Sequence, residues 1–290
     1  MSQRLAVHLL LLAGQVCFAS LAVMGRLAIL GHLPPAGIVL VRMVGGAIAF
    51  ALIAWRTGTL RFARRDLPAL VGCAVLGVAA NQELFVQGLA RTSATNASLL
   101  GSTIPVFTAV VAIALRREPV RARRLLGIAI AFGGAAALVG VDRLSLASGD
   151  LAGSALILAN SLCYGSYLVV VRPLADRYDP IALLAVMFAL SIPMVAPLGV
   201  AAWAGAPPLH AGDVAILGFL VAVPTVGAYG LVQLALRRAE ATLVAAYIYL
   251  QPVIATLGAT LVLDERPTAR TAVCGAVVLG GVALAARART

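Results

Sequence analysis

The chain has 290 residues, of which 62% are hydrophobic and 11% charged, and its mean hydropathy is +1.02. A soluble domain cannot hide that much apolar surface. A bilayer core of roughly 30 Å needs about 20 apolar residues per helical crossing, so the length suits about ten crossings with short connectors. The net charge of +11 would fit a nucleic-acid partner, but the basic residues, all Arg, fall almost wholly between apolar runs and read as topology signals.

Taken in order, apolar stretches cover about 5–25, 36–55, 68–89, 93–115, 122–141, 151–171, 180–203, 213–236, 241–263 and 270–287. Arg4 followed by an apolar run resembles a signal peptide. No small-residue cleavage site ends the run, which predicts a first transmembrane helix instead. Cys17, Cys73, Cys163 and Cys274 all lie inside apolar segments, at spacings that suit neither a zinc ribbon nor a disulfide framework. With a cytoplasmic amino terminus, sixteen Arg fall in inside segments, and only Arg91, Arg143, Arg266 and Arg270 fall outside. This predicts that both termini are cytoplasmic.

A self-match runs through the chain. Cys-Phe-Ala-Ser at 17–20 with Arg26 recurs as Cys-Tyr-Gly-Ser at 163–166 with Arg172, an offset of 146. Leu89, Arg91, Ala94, Thr95, Pro105 and Glu118 recur as Leu236, Arg238, Ala241, Thr242, Pro252 and Glu265, an offset of 147. The chain therefore reads as a five-span unit used twice, residues 1–145 and 146–290. An odd number of spans inverts the second copy in the membrane, and the Arg bias of the connector after the fourth span is lost in its counterpart after the ninth. The expected fold is all-α: ten transmembrane helices as two inverted five-helix repeats.

Polar content sorts the spans, because polar groups are costly against lipid and gather around wet cavities. The fifth and tenth spans are nearly devoid of polar side chains and carry paired glycines, the pattern of peripheral packing helices. The third carries Asn81, Gln82, Glu83 and Gln87, the fourth Asn96, Ser98, Ser102 and Thr103, and the sixth Asn160, Ser161, Tyr164 and Tyr167. The eighth has Tyr229 and Gln233, and the ninth Tyr247, Tyr249 and Gln251. Helical spacing puts Ser98 with Ser102, Asn160 with Tyr164 and Tyr247 with Gln251 on shared faces.

Glu83 is the only acidic residue well inside a span, which suits a substrate ammonium, a proton relay or an internal pair with Gln87 or an Arg. Arg42 lies about a quarter of the way into the second span, where the other repeat is apolar, and could receive a substrate carboxylate, snorkel, or pair with Glu83. The candidate substrate-binding set is Glu83, Arg42, Asn81, Gln82, Ser98, Ser102, Tyr164, Tyr229, Tyr247 and Gln251. Pro105 and Pro252 occupy equivalent positions expected at mid-helix, where each would free a carbonyl and serve as a hinge or a static kink.

The segments from Leu89 to Leu138 and Leu236 to Leu284, with their Pro105/Glu118 and Pro252/Glu265 landmarks, resemble the paired repeats of the EamA branch of the drug/metabolite transporter superfamily. The resemblance covers nearly the whole chain. It implies ten helices, five plus five inverted, and export of small metabolites, often amino acids, a pattern similar to that of the YddG-type amino-acid exporters. The family's Arg of the second span matches Arg42, whereas its aromatic position, commonly Trp, is Phe18 and Tyr164 here.

The expected function is export of amino acids or similar small metabolites across the bacterial inner membrane by alternating access. A cavity with few charges suits a neutral or zwitterionic solute. A phosphosugar or nucleotide-sugar carrier would place more Arg within the spans. An intramembrane enzyme or an assembly subunit fits less well: His8, His32 and His210 are scattered, and neither HExxH nor GxSxG occurs. No catalytic residue, metal or cofactor is expected. The bilayer and a small solute are the expected partners, nucleic acid is not, and a monomer is compatible with the pattern.

Overall fold

The computed structural model describes residues 3–57, 60–92, 97, 100–139, 148–251, 253–254 and 269–286. All regular structure among them is helical. Among the described residues, six helical stretches are long and apolar enough to cross a bilayer: Leu5–Leu30, Pro35–Arg56, Arg64–Arg91, Leu151–Val170, Pro180–Ala204 and Ala211–Leu236. Ile104–Ala114 and Val273–Ala285 are shorter apolar helices. The predicted spans 93–115, 122–141, 241–263 and 270–287 lie partly outside the described residues.

The helices are apolar on the outside. Leu5, Leu9, Leu12, Val16, Val23, Leu27 and Leu30 are all exposed and recur at steps of three, four or seven residues, so they form one stripe along the Gln3–Leu30 helix. Val44, Ile48, Leu52 and Trp55 do the same along Pro35–Thr57. The buried set meanwhile includes Gln15, Arg42, Asn81, Gln82, Asn160 and Gln233. Apolar stripes facing out and polar side chains facing in are what a hydrocarbon solvent selects, the reverse of a water-soluble bundle.

Helix pairing follows the internal repeat. Pro35–Thr57 packs along Pro180–Ala204, and Ala122–Val139 along Ala269–Ala286. Gln3–Leu30 meets Ala228–Leu236, and Ser148–Val170 meets Ala80–Arg91, so corresponding helices exchange partners between the halves. Glycines allow the close approaches. A Cβ on Gly281 would stand 2.5 Å from the Ala131 backbone nitrogen, and one on Gly127 2.6 Å from that of Ala285. Without a hydrophobic force between helices in lipid, such backbone-close packing is a main source of association.

Two irregularities also repeat. Val75–Ala79 and Ala222–Gly227 are π-helical, and their starts are separated by the same 147 residues as the sequence match. Such one-turn expansions inside α-helices recur at functional sites. Pro105 differs from the mid-helix expectation. It lies in the first turn of Ile104–Ala114, directly after a turn at Ser102 and Thr103, where its missing N–H costs no helical hydrogen bond. Pro252 lies outside the described residues.

Candidate functional site

A cavity of about 130 Å³ lies within the bundle, and its wall includes Arg42, Asn81, Gln82, Tyr164, Tyr229 and Gln251 from the predicted set. Phe18, Phe85, Leu89, Ile104 and Ile248 supply much of its apolar surface. The residues come from helices distant in sequence, brought together by the exchanged pairing described above.

Arg42 dominates the electrostatics. Its side chain is carried by Pro35–Thr57 and is 1% exposed. Its Nε donates to Thr225 Oγ1 at 2.9 Å, and that hydroxyl donates to the Leu220 carbonyl at 2.8 Å. The carbonyl is accessible because Thr225 sits in the second π-helical segment, five residues on. Both terminal guanidinium nitrogens of Arg42 are buried without a hydrogen-bond partner. An ion taken out of water carries a penalty of several kcal/mol unless a partner repays it. The arrangement therefore holds a cation by one nitrogen and leaves two donors for an anion.

The rest of the wall is fixed by hydrogen bonds between helices. The Tyr229 hydroxyl lies 3.0 Å from Asn81 Oδ1 and 3.1 Å from the Gly77 carbonyl, and it donates into this pair of acceptors. Asn160 Nδ2 donates to the Asn81 carbonyl at 2.7 Å. Below them Tyr167 donates to Gln233 Oε1 at 2.9 Å, and the Gly77 α-carbon faces the Tyr167 ring with no room for a Cβ. Phe18 meets Tyr229 edge-on with ring centroids 5.3 Å apart and Tyr164 at 6.2 Å. Gln251 Nε2 donates to Gln15 Oε1 at 2.7 Å. Gln82 has no hydrogen-bond partner for either amide atom.

Three members of the predicted set stand apart from this wall, and a fourth is not described. Glu83 Oε1 accepts from Gln87 Nε2 at 2.8 Å, and Gln87 Oε1 accepts from Arg91 at 2.5 Å, which draws the carboxylate along its own helix. Glu83 does not line the cavity, nor does it pair with Arg42. Tyr247 points to His8, with its hydroxyl 2.5 Å from Nδ1. Ser102 is buried at the turn before Ile104, outside the cavity wall. Ser98 lies outside the described residues.

Leu89, in the last turn of Ala80–Arg91, lines the cavity, which therefore reaches that end of the bundle. Arg26 donates to the Leu89 carbonyl at 3.0 Å, tying two helix ends on that side. The opposite end is closed by two polar clusters. In one, Asp66 accepts from Arg177 at 3.1 Å and from the Tyr178 hydroxyl at 2.5 Å. In the other, buried Arg124 pairs with Glu118 at 3.1 Å and also with Glu240, while Thr242 hydrogen-bonds both Arg124 and Glu118. In the sequence these Arg residues read only as orientation signals. Thr225 and Gln15 gave no signal, because a single Thr or Gln in a span is usually structural. Apart from Phe18, the apolar lining residues could not be told from lipid-facing ones.

The sequence model of the EamA-like transporter family matches residues 5–140 and again 151–287, and the chain belongs to that family. It is 27% identical over 283 residues to an uncharacterized transporter of Archaeoglobus fulgidus, covering 97% of this chain and 95% of the relative. It is 29% identical over 256 residues to a probable terminal-alkyne amino-acid exporter of Streptantibioticus cattleyicolor, covering 86% and 83%. A solved structure titled only as the crystal structure of a protein superposes with a TM-score of 0.80 at 18% identity, covering 98% and 97% of the two chains, a likeness of fold. The protein is thus a multi-pass membrane transporter of the drug/metabolite superfamily, made of two copies of one unit.

Proposed function

We propose that the chain forms ten spans in two inverted repeats, 1–145 and 146–290, and exports amino acids or similar small metabolites across the bacterial inner membrane. The repeats rock around the cavity to alternate its access, as inverted repeats permit. The observation that carries the reading is Arg42, a buried guanidinium with two unpartnered nitrogens in the cavity wall, the form of a receptor for a substrate carboxylate. The printed name of the Streptantibioticus cattleyicolor relative, an amino-acid exporter, supports the solute class. With both termini cytoplasmic, the polar clusters at Asp66 and Arg124 lie on the cytoplasmic side, and the cavity lies toward the exterior.

A phosphosugar or nucleotide-sugar carrier is less well supported. A phosphate dianion calls for more than one cation, and Arg42 alone among the described residues brings a charge to the cavity wall. The test is uptake of a panel of radiolabelled amino acids and other small metabolites by proteoliposomes. Saturable transport that Arg42→Ala abolishes while the protein stays folded is the expected result. A panel that yields no transport, or a folded Arg42→Ala with full activity, would discard the reading.

A further inference from the structure

Resting on that transport reading, we infer that the cavity selects small carboxylic acids whose amino nitrogen is blocked or absent, rather than free zwitterionic amino acids. The solute's carboxylate takes the two unpartnered nitrogens of Arg42, and its apolar body packs against Phe18, Phe85, Leu89 and Ile248.

The argument is one of charge balance in a site that excludes most water. Arg42 contributes one positive charge, and a monoanion cancels it. A zwitterion also cancels it but brings an ammonium that needs its own counter-charge. No carboxylate among the described residues faces the cavity. One oxygen of Glu83 accepts from Gln87, which accepts in turn from Arg91; the other oxygen is buried without a hydrogen-bond partner, and Glu83 is not part of the cavity wall. The remaining acidic side chains described lie at helix ends or in connectors, among them Asp66, Glu118 and Glu240 at the closed end. An ammonium would meet amide and hydroxyl oxygens and aromatic faces but no carboxylate among the described wall residues, so its charge would stay uncompensated.

Gln82 sharpens the assignment. Its amide offers an NH2 group with two N–H donors and a carbonyl acceptor, none hydrogen-bonded, in the same wall as Arg42. That pair matches a secondary amide, which presents one acceptor and one donor in return. An N-acylated amino acid therefore satisfies Arg42 and Gln82 together.

The experiment is calorimetric titration of the purified full-length protein in lipid nanodiscs with N-acetylleucine, 4-methylpentanoate, leucine and leucinamide, alongside proteoliposome transport of the same four. We expect both anions to bind at least about tenfold tighter than leucine, with leucinamide silent. Leucine binding as tightly as the anions overturns the inference. So does undiminished N-acetylleucine binding by folded Arg42→Gln, and the ligand series on the unaltered protein decides the matter if that variant fails to fold. Anions that bind but are not carried keep the site assignment and sink the transport reading. Leucine carried well and bound best keeps the transport reading and sinks the inference.

Discussion

Glu118 and Thr242, 124 residues apart, join the two halves of the chain at the closed end of the bundle. Glu118 Oε1 accepts the Thr242 backbone N–H at 3.3 Å, and its Oε2 accepts the Thr242 hydroxyl. Arg124, 4% exposed, is held between them and Glu240.

If alternating access opens this end, the cluster is what must part. Arg124→Ala leaves Glu118 and Glu240 without their shared cation, and truncating one partner of a buried pair costs about 3–5 kcal/mol. The variant should unfold at lower temperature and admit a thiol reagent at a cysteine placed at Thr242. A variant as stable and as closed as the parent would show that the cluster does not hold the halves together.

Tyr229→Phe removes a hydroxyl that serves both Asn81 Oδ1 and the Gly77 carbonyl. Leaving buried acceptors unsatisfied costs about 1–3 kcal/mol. Thermal unfolding should register that loss, and solute affinity should fall as Asn81 loses its fixed orientation. Tyr167→Phe, outside the cavity wall, should lower stability by breaking the bond to Gln233 with less effect on affinity.

Glycine substitutions separate close packing from open surface. Gly281→Ala places a Cβ 2.5 Å from the Ala131 backbone nitrogen, an approach that backbone movement alone relieves. Overpacking of this kind costs about 1–3 kcal/mol. Gly133→Ala meets nothing within 4 Å and should be neutral or gain about 0.5–1 kcal/mol from helix propensity. Paired melting curves check both.

Glu83→Gln tests the carboxylate apart from the cavity. Because its bonded oxygen faces Gln87 rather than the cavity, solute affinity should stay within about twofold, a change worth less than about 0.5 kcal/mol. Transport with and without an imposed pH gradient shows whether the same change removes proton dependence. An affinity that collapses would place Glu83 at the solute after all.

Much of this was legible in the sequence, for definite reasons. Charge and Pro positions exposed the repeat, because they are rare in an apolar chain and so their recurrence at offset 146–147 stands out. Arg42 stood out for the same reason, and it reaches the cavity. Glu83 stood out equally, yet it turns along its helix, because Gln87 one turn on offers a local partner that spacing alone cannot rank against a distant solute. Phe85 and Ile248 were indistinguishable from lipid-facing residues until the helices were assembled. Pro105 read as a mid-helix kink because the apolar run continues through Ser102 and Thr103, where the backbone in fact turns and starts afresh.

The matched π-helical turns, Val75–Ala79 and Ala222–Gly227, make the identity of the inward-facing residues a matter of phase. Each wide turn absorbs one residue beyond the α-helical count, and a residue is worth about 100° of rotation. Everything downstream, Asn81 and Gln82 in one copy and Tyr229 in the other, is aimed by that offset. Removing the extra residue from either turn would leave a regular helix with those side chains still aimed inward, whereas winding the full-length segment as unbroken α-helix would swing them about 100° away and dismantle the solute chamber.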